Sequence, residues 1–442
     1  MPLLIKDNKF NFSENPDYVF IIAEVGVNND GDRTRSLSLT DMAKECGADL
    51  VKFQAFNPPW LCNPTTAQAG YQLTNQDGLR ESEDSFLDML YRYEMSRGAL
   101  LDIRRHCNRI DIEFLCTPFD VPSLRMLVDQ VGAKLLKIAS GQVVHMPLLV
   151  EAGRTGLPLI MSSGVANLEE IGMALTWIAY GRTHAEGLPD SRYVRMPTAQ
   201  ELDLLADNVA LMQCTTNYPA TVEETNLKAI TSMMNAFGLQ VGFSDHTGTT
   251  DIMCGAIDLG SRFLETHITY DKNAVGPDHK ASHDKAGFIE YIRHARLPAG
   301  KRPAPPEAAW GDGIKVCQPK EAKVHDIARN GVWALRDIQP GEPFVLGQSD
   351  LDIEKGAANV KIVRSVNELT PASLTVLLNQ KATKFISVHS PIPADEIPAD
   401  LMKQEFKANH DPSGKEMRER ITALHKRMGV LNSNKTPHLK HG

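Results

Sequence analysis

Eight short apolar or β-branched runs, helical periodicity between them, and polar residues at the end of every run predict an α/β protein built as a (β/α)8 TIM barrel. The runs are Val19–Ala23, Leu50–Phe53, Phe114–Cys116, Leu135–Ile138, Leu159–Met161, Val209–Met212, Leu239–Phe243 and Phe263–His267. Between them Leu39, Met42, Ala43 and Cys46, then Leu124, Leu127, Val128 and Val131, follow the i, i+3, i+4, i+7 spacing of a helix with one buried face. Asn167 followed by Glu170 forms a capping-box pattern ahead of a helix carrying Ile171, Leu175 and Ile178. Eight such units favour a closed barrel over an open doubly wound sheet. Two longer excursions, Asn57 to Met95 and Gly181 to Asp207, interrupt the alternation, and excursions at strand ends commonly shape a site's mouth.

The barrel is expected over residues 1–298. A Pro- and Gly-rich stretch, LPAGKRPAPPEAAWGDGIK, predicts a linker over 299–322. A small β-rich segment with a turn at Pro340–Gly341 follows over 323–355, and 356–442 form a C-terminal extension of unassigned role. That extension holds strand-like runs at Val360–Val363 and Phe385–Val388 and a basic helical tail with Arg418, Arg420, Lys426 and Arg427.

Composition is globular, with 42% hydrophobic and 23% charged residues, and the net charge of −8 argues against a nucleic-acid or anionic-membrane partner. No apolar run reaches membrane-spanning length, and the first ten residues lack the layout of a signal peptide, so the chain is expected to be cytoplasmic. The seven scattered cysteines, none spaced Cys-x-x-Cys, fit reduced thiols and no structural zinc.

In a barrel of this kind chemistry sits at the carboxyl ends of the strands. Lys52 and Lys137 stand inside the apolar runs LVKFQ and LLKIASG, where a buried ammonium requires an anion. Ser140-Gly141 and Ser162-Ser163-Gly164 lie nearby as small turns whose N–H groups can approach a phosphate closely. Taken singly, such a Ser-Gly pair is more often a plain turn. His246 and His267 end neighbouring strands and can share a metal, although a lone histidine is more often a core or surface residue. Glu265 shares a strand face with His267 and is positioned to orient a histidine. Glu24 ends the first strand as a general-base candidate; its simpler role is an ion pair with Lys52.

The strings IIAEVGVNNDGD, GADLVKFQAF, EFLCTPFD, LLKIASGQVVHMPLL, PLIMSSGVANLEEI, CTTNYPA, VGFSDHTG and GPDHKAS carry a resemblance. With them the chain resembles the sialic acid (N-acetylneuraminate) synthase family, which includes related nonulosonic acid synthases, over residues 15–355. The resemblance implies a TIM barrel followed by a small antifreeze-like (SAF) domain that caps the partner's site in a domain-swapped homodimer. It implies condensation of phosphoenolpyruvate with an N-acyl hexosamine of the N-acetylmannosamine type and water, giving a nine-carbon 2-keto acid and phosphate with C–O cleavage.

By that resemblance His246 and His267 would hold a divalent Mn2+ or Mg2+, and Glu24 would activate the water. Lys52, Thr117, Lys137, Ser140, Ser162 and Ser244 would bind phosphoenolpyruvate. Gln54, Asn217, Tyr218, Asp278 and Arg329 would contact the sugar. The family's cap usually carries Arg or Lys followed by Ser; here those positions hold Asn330 and Gly331, with Arg329 one residue earlier, and SSGV replaces the commoner STGM. The 3-deoxy-octulosonate and 3-deoxy-heptulosonate phosphate synthases share the donor, but their phosphorylated acceptors would need a further basic cluster. A pyruvate-dependent metal aldolase would not need the Ser-Gly turns, and a non-catalytic carbohydrate-binding relative would not need the full set of reactive residues.

Overall fold

The computed structural model describes residues 4–12, 17–68, 72, 85–365 and 367–402. Eight parallel strands close into a barrel: β1 (Phe20–Glu24), β2 (Leu50–Ala55), β3 (Glu113–Pro118), β4 (Leu136–Ile138), β5 (Leu159–Ser162), β6 (Val209–Cys214), β7 (Val241–Asp245) and β8 (Phe263–His267). Each coincides with an expected run to within two residues at either end. The ring closes where β8 pairs with β1 from Phe263↔Phe20 to His267↔Glu24.

Side chains alternate across each strand, and that alternation divides the core. Ile21, Ala23, Val51, Phe53, Met161, Leu211 and Leu264 face outward into the layer of helices. Phe20, Ile22, Leu50, Leu115, Ile160, Met212 and Phe263 belong to a separate cluster inside the barrel. A short hairpin, Ile5–Lys6 paired with Lys9–Phe10, brings Leu4, Phe10 and Phe12 against the amino-terminal end of that cluster. Phe12 stacks on Phe263 with ring centroids 5.5 Å apart.

Local signals set the helix ends. Asp32 caps the helix Arg33–Cys46, and Gly47, at φ 94°, ends it by donating its N–H to the carbonyls of Ala43 and Lys44. The expected Asn167–Glu170 capping box opens the helix Leu168–Thr183. The first long excursion supplies the helix Phe86–Tyr93 at the mouth. The second enters β6 from its amino end, and its Met196 packs on Gly172 of the helix Leu168–Thr183, so it does not line the mouth as expected.

The segment expected as a linker is laid along the barrel. Leu227 and Lys228 donate backbone N–H bonds to Ala309 and Trp310, and Asn226 holds Gly313 and Ile314 through its side chain. Beyond it, β9 (Asn330–Ala334) pairs antiparallel with β10 (Val360–Arg364), and further bridges join Trp333 to Pro391 and Ile338 to Ile386. The small β unit therefore continues past the expected boundary at residue 355 to at least the buried Ile397, because the partner of β9 is distant in sequence. The run Phe385–Val388 contributes only that single bridge at Ile386, and the basic tail lies outside the described residues. No helix among the described residues is long and apolar enough to cross a membrane, and all seven cysteines are free.

Candidate active site

The carboxyl ends of the strands open into one cavity of about 1110 Å³, counting its mouth. Strand register explains which side chains meet on its floor. Glu24 of β1 lies beside Lys52 of β2 and His267 of β8, and Glu265 of β8 lies beside Ser244 of β7. Lys137 reaches across from β4. Lys137 Nζ is 2.5 Å from Glu265 Oε2, while Lys52 Nζ is 3.4 Å from Glu265 Oε1 and 2.9 Å from Glu24 Oε2. The ion pair of Glu24 with Lys52 is thus present, and Gln54 Nε2 donates to the other Glu24 oxygen at 3.0 Å.

Burial acts against every charge here, and the partners decide the balance. Burial would lower the Lys52 ammonium, but the carboxylates of Glu24 and Glu265 outweigh it and hold Lys52 above its ordinary range. For Lys137 burial wins over Glu265, and the nearby Lys52 lowers it further. Burial likewise opposes the charged form of Glu265, yet Lys137 and Lys52 hold its carboxyl well below the usual range.

Glu265 was expected to orient a histidine; it instead sits between the two lysines and accepts the Ser244 hydroxyl at 3.0 Å. The Thr215 carbonyl, 2.7 Å from His246 Nδ1, takes over that orienting role, because a carbonyl can only accept. The Nδ1 proton is thereby fixed, and the lone pair falls on Nε2, 3.2 Å from Ser244 Oγ.

The two imidazoles stand with ring centroids 5.5 Å apart, and the Tyr218 ring packs 4.3 Å from that of His246. Burial, with a contribution from His267, drives His246 down to about 3, and burial, then Lys52, drives His267 to about 3. Both are neutral, as metal ligands must be. His267 Nδ1 is buried without a hydrogen-bond partner and lies 3.8 Å from Asp278 Oδ2. Burial, then Glu24, pushes the Asp278 carboxyl up to about 7. Two neutral imidazoles, one with an orphaned nitrogen beside a carboxyl, fit a divalent cation. Among the described residues no three His, Cys, Asp or Glu side chains already stand together as a ligand set, so that fit rests on the histidine pair.

Hydroxyls and small turns ring the floor. Thr117, Ser140, Ser162 and Ser244 all line the cavity, and Lys52 Nζ is 3.4 Å from Thr117 Oγ1. Gly164 donates its N–H to Ser140 Oγ at 3.0 Å, and a Cβ at Gly164 would meet Thr216 Oγ1 at 2.1 Å, so only glycine fits there. Thr216, which sequence reasoning missed, also lines the cavity and presents a buried Oγ1 with no hydrogen-bond partner.

Two expected sugar contacts fall elsewhere. Asn217 is half-buried outside the lining. Arg329 is buried behind the β5 turn, where it donates to the Val165 carbonyl at 2.8 Å and pairs with Glu170 at 2.7 Å, so it does not reach the cavity. The cation at the mouth is Arg364 of β10, whose guanidinium lies 5.1 Å from the Phe119 ring centroid and 5.9 Å from that of Phe86. Arg364, Val324, Ile327 and Ala328 bring the small β unit over its own barrel, where the resemblance implied a partner's cap. Phe56, Leu61, Phe86, Met89, Leu90 and Phe119 complete an apolar outer wall. Its signal was the amphipathic 86–93 segment, which on sequence alone reads equally well as ordinary core.

Residues 39–300 match the NeuB family. The chain is 34% identical over 344 residues to N,N'-diacetyllegionaminic acid synthase of Campylobacter jejuni, covering 78% of this chain and 92% of that protein. It is 26% identical to pseudaminic acid synthase of Helicobacter pylori, covering 86% and 98%. Among solved structures, spore coat polysaccharide biosynthesis protein SpsE of Bacillus subtilis matches with a TM-score of 0.64 at 26% identity, covering 86% of this chain and 95% of that one. A match over more than half of the chain, joined to a barrel with this floor, leads to one conclusion: the chain belongs to the NeuB family of nonulosonic acid synthases.

Proposed function

We propose that the enzyme condenses phosphoenolpyruvate with water and the open-chain aldehyde of an N-acylated, mannose-type sugar, giving a nine-carbon 2-keto acid and phosphate. The observation that carries this reading is the buried chain Glu24–Lys52–Glu265–Lys137 beside hydroxyl-bearing turns. Lys137 has a single carboxylate partner among its ion pairs, against burial that disfavours its charge, so an anionic donor supplies what the site is built to hold. Thr216 Oγ1 offers that donor one more unclaimed hydroxyl.

Glu24, steadied by Gln54 and Lys52, takes the proton of the water that adds at C2 of the donor. As it adds, C3 attacks the aldehyde carbon, and the buried Asp278 carboxyl, with a pKa of about 7, can supply the proton the new alkoxide needs. The bond from C2 to the bridging oxygen then breaks; phosphate leaves with that oxygen and takes up the proton of the C2 hydroxyl, and C2 keeps the oxygen of water as the ketone. A manganese or magnesium ion held by His246 and His267 would polarise the aldehyde.

The outer wall favours an unphosphorylated acceptor. Its aromatic and aliphatic side chains suit acyl methyl groups, and among the described lining residues Arg364 is the one Lys or Arg outside the floor. The test is phosphate release from phosphoenolpyruvate with added manganese, over a panel of N-acyl hexosamines and phosphorylated aldoses. Release with an unphosphorylated N-acyl sugar is the expected result. Release with phosphorylated aldoses alone would transfer the chain to the 3-deoxy-aldulosonate phosphate chemistry, and no release with any sugar would favour a binding protein.

A further inference from the structure

The post-barrel segment places two buried charges behind the floor that the proposed chemistry does not use. Glu321 is fully buried and Arg329 is 2% exposed, and both converge on Val165, the residue that follows the Ser162-Ser163-Gly164 turn. Val165 has φ 51°, a left-handed conformation that a β-branched residue adopts only under constraint.

Both polar backbone groups of Val165 are held from outside the barrel. Its N–H donates to Glu321 Oε1 at 2.9 Å, and its carbonyl accepts from Arg329 Nη2 at 2.8 Å. The same Glu321 oxygen accepts the Thr216 N–H at 2.6 Å, so one carboxylate ties the turn after β5 to the turn after β6. Gly164, between Ser162 and Val165, in turn binds Ser140 after β4. Three consecutive turns bearing cavity hydroxyls are thereby joined, and the clamp that joins them arrives with the segment leading into the small β unit.

We propose that Glu321 and Arg329 are positioning residues: they hold the strained Ser162–Val165 turn and Thr216 in the conformation that receives the donor's phosphate, coupling donor affinity to the docked post-barrel segment. This rests on the phosphoenolpyruvate reading above. A purely structural role would lower stability without separating the two substrates, whereas a positioning role falls on the donor alone.

The experiment uses the full chain as wild type, Glu321→Gln, Arg329→Met and the double variant Arg329→Met/Val165→Gly. Phosphoenolpyruvate is titrated calorimetrically in the presence of manganese, KM is measured for both substrates, and backbone amide exchange is followed over residues 162–168 and 214–218. Each single variant should weaken donor binding by roughly tenfold or more, the scale of a lost charged hydrogen bond, and leave the acceptor KM within about twofold. Exchange in both segments should accelerate. Glycine adopts the left-handed conformation without a clamp, so adding Val165→Gly to Arg329→Met should recover most of the lost donor affinity.

Unchanged exchange in both single variants, equal losses for both substrates, or a double variant as weak as Arg329→Met would overturn the proposal. Wild-type chain that fails to bind phosphoenolpyruvate would instead defeat the donor reading, while the exchange result would still decide whether the clamp exists.

Discussion

The two halves of the barrel interior are built from the same inward-facing positions and have opposite chemistry. At the amino-terminal end Phe20, Ile22, Leu50, Leu115, Ile160 and Phe263 make a dry core closed by Phe12. Two residues further along the same faces stand Glu24, Lys52, Thr117, Ser162 and Glu265, which line an open cavity. The difference teaches that strand parity selects which side chains face the interior and the position along the strand decides which of them line the cavity, while the apolar lower layer supplies the rigid, low-dielectric bed that makes their charges strongly interdependent.

That interdependence predicts the largest effect. Glu265→Ala leaves Lys52 and Lys137 short of an anion in a buried site, and removal of one partner from a buried pair typically costs about 3–5 kcal/mol. Urea unfolding should register that loss, with donor binding lost as well; a change below about 1 kcal/mol would mean that the floor is far better hydrated than its burial indicates.

A second effect contrasts the paired charges of the floor with a group kept neutral by burial. His145 caps the helix Met146–Arg154 by accepting the Leu148 N–H, and burial pushes its pKa down to about 4 from 6.5. Between pH 6.5 and 4 the unfolded chain therefore binds a proton that the native chain does not. Stability contributed by neutral His145 is complete above that window and falls as pH drops through it, by about 3 kcal/mol in all. His145→Asn keeps a capping oxygen and should flatten this part of the stability profile; an unaltered slope would show that His145 does not carry it.

Lys137→Met should come next. On the proposed reading it removes a buried charged hydrogen bond to the donor, worth roughly 1.5–3 kcal/mol of binding, while the methionine fills the same space. Calorimetric titration of phosphoenolpyruvate measures it, and an unchanged Kd would remove Lys137 from the donor site. The smallest effect belongs to the dry half: Ile22→Val should cost about 0.5–1.5 kcal/mol of stability and leave KM for both substrates unchanged. A shift in donor KM would mean that the two layers are less independent than their chemistry implies.

The barrel was legible because its signal is local. Each strand is a short apolar run ending in polar residues, and runs such as Phe263–His267 needed no adjustment. The floor was legible for the same reason, since Lys52 and Lys137 are conspicuous charges in apolar strands. What sequence hid depends on distant pairing. Glu265 looked like a neighbour of His267, but its partners Lys52 and Lys137 come from other strands. Arg329 looked like a ligand contact from its place one residue before Asn330, yet its partners Glu170 and Val165 belong to the turn and helix after β5. Arg364 reaches the mouth because β10 pairs with β9, with Arg364 opposite Asn330.

The central claim is that this floor adds water to C2 of phosphoenolpyruvate and breaks its C–O bond. It is tested most directly by turnover with donor labelled at the bridging oxygen, an N-acyl sugar acceptor and manganese, followed by mass analysis of both products. The account predicts that the label leaves in phosphate. Label retained in the keto acid would contradict it.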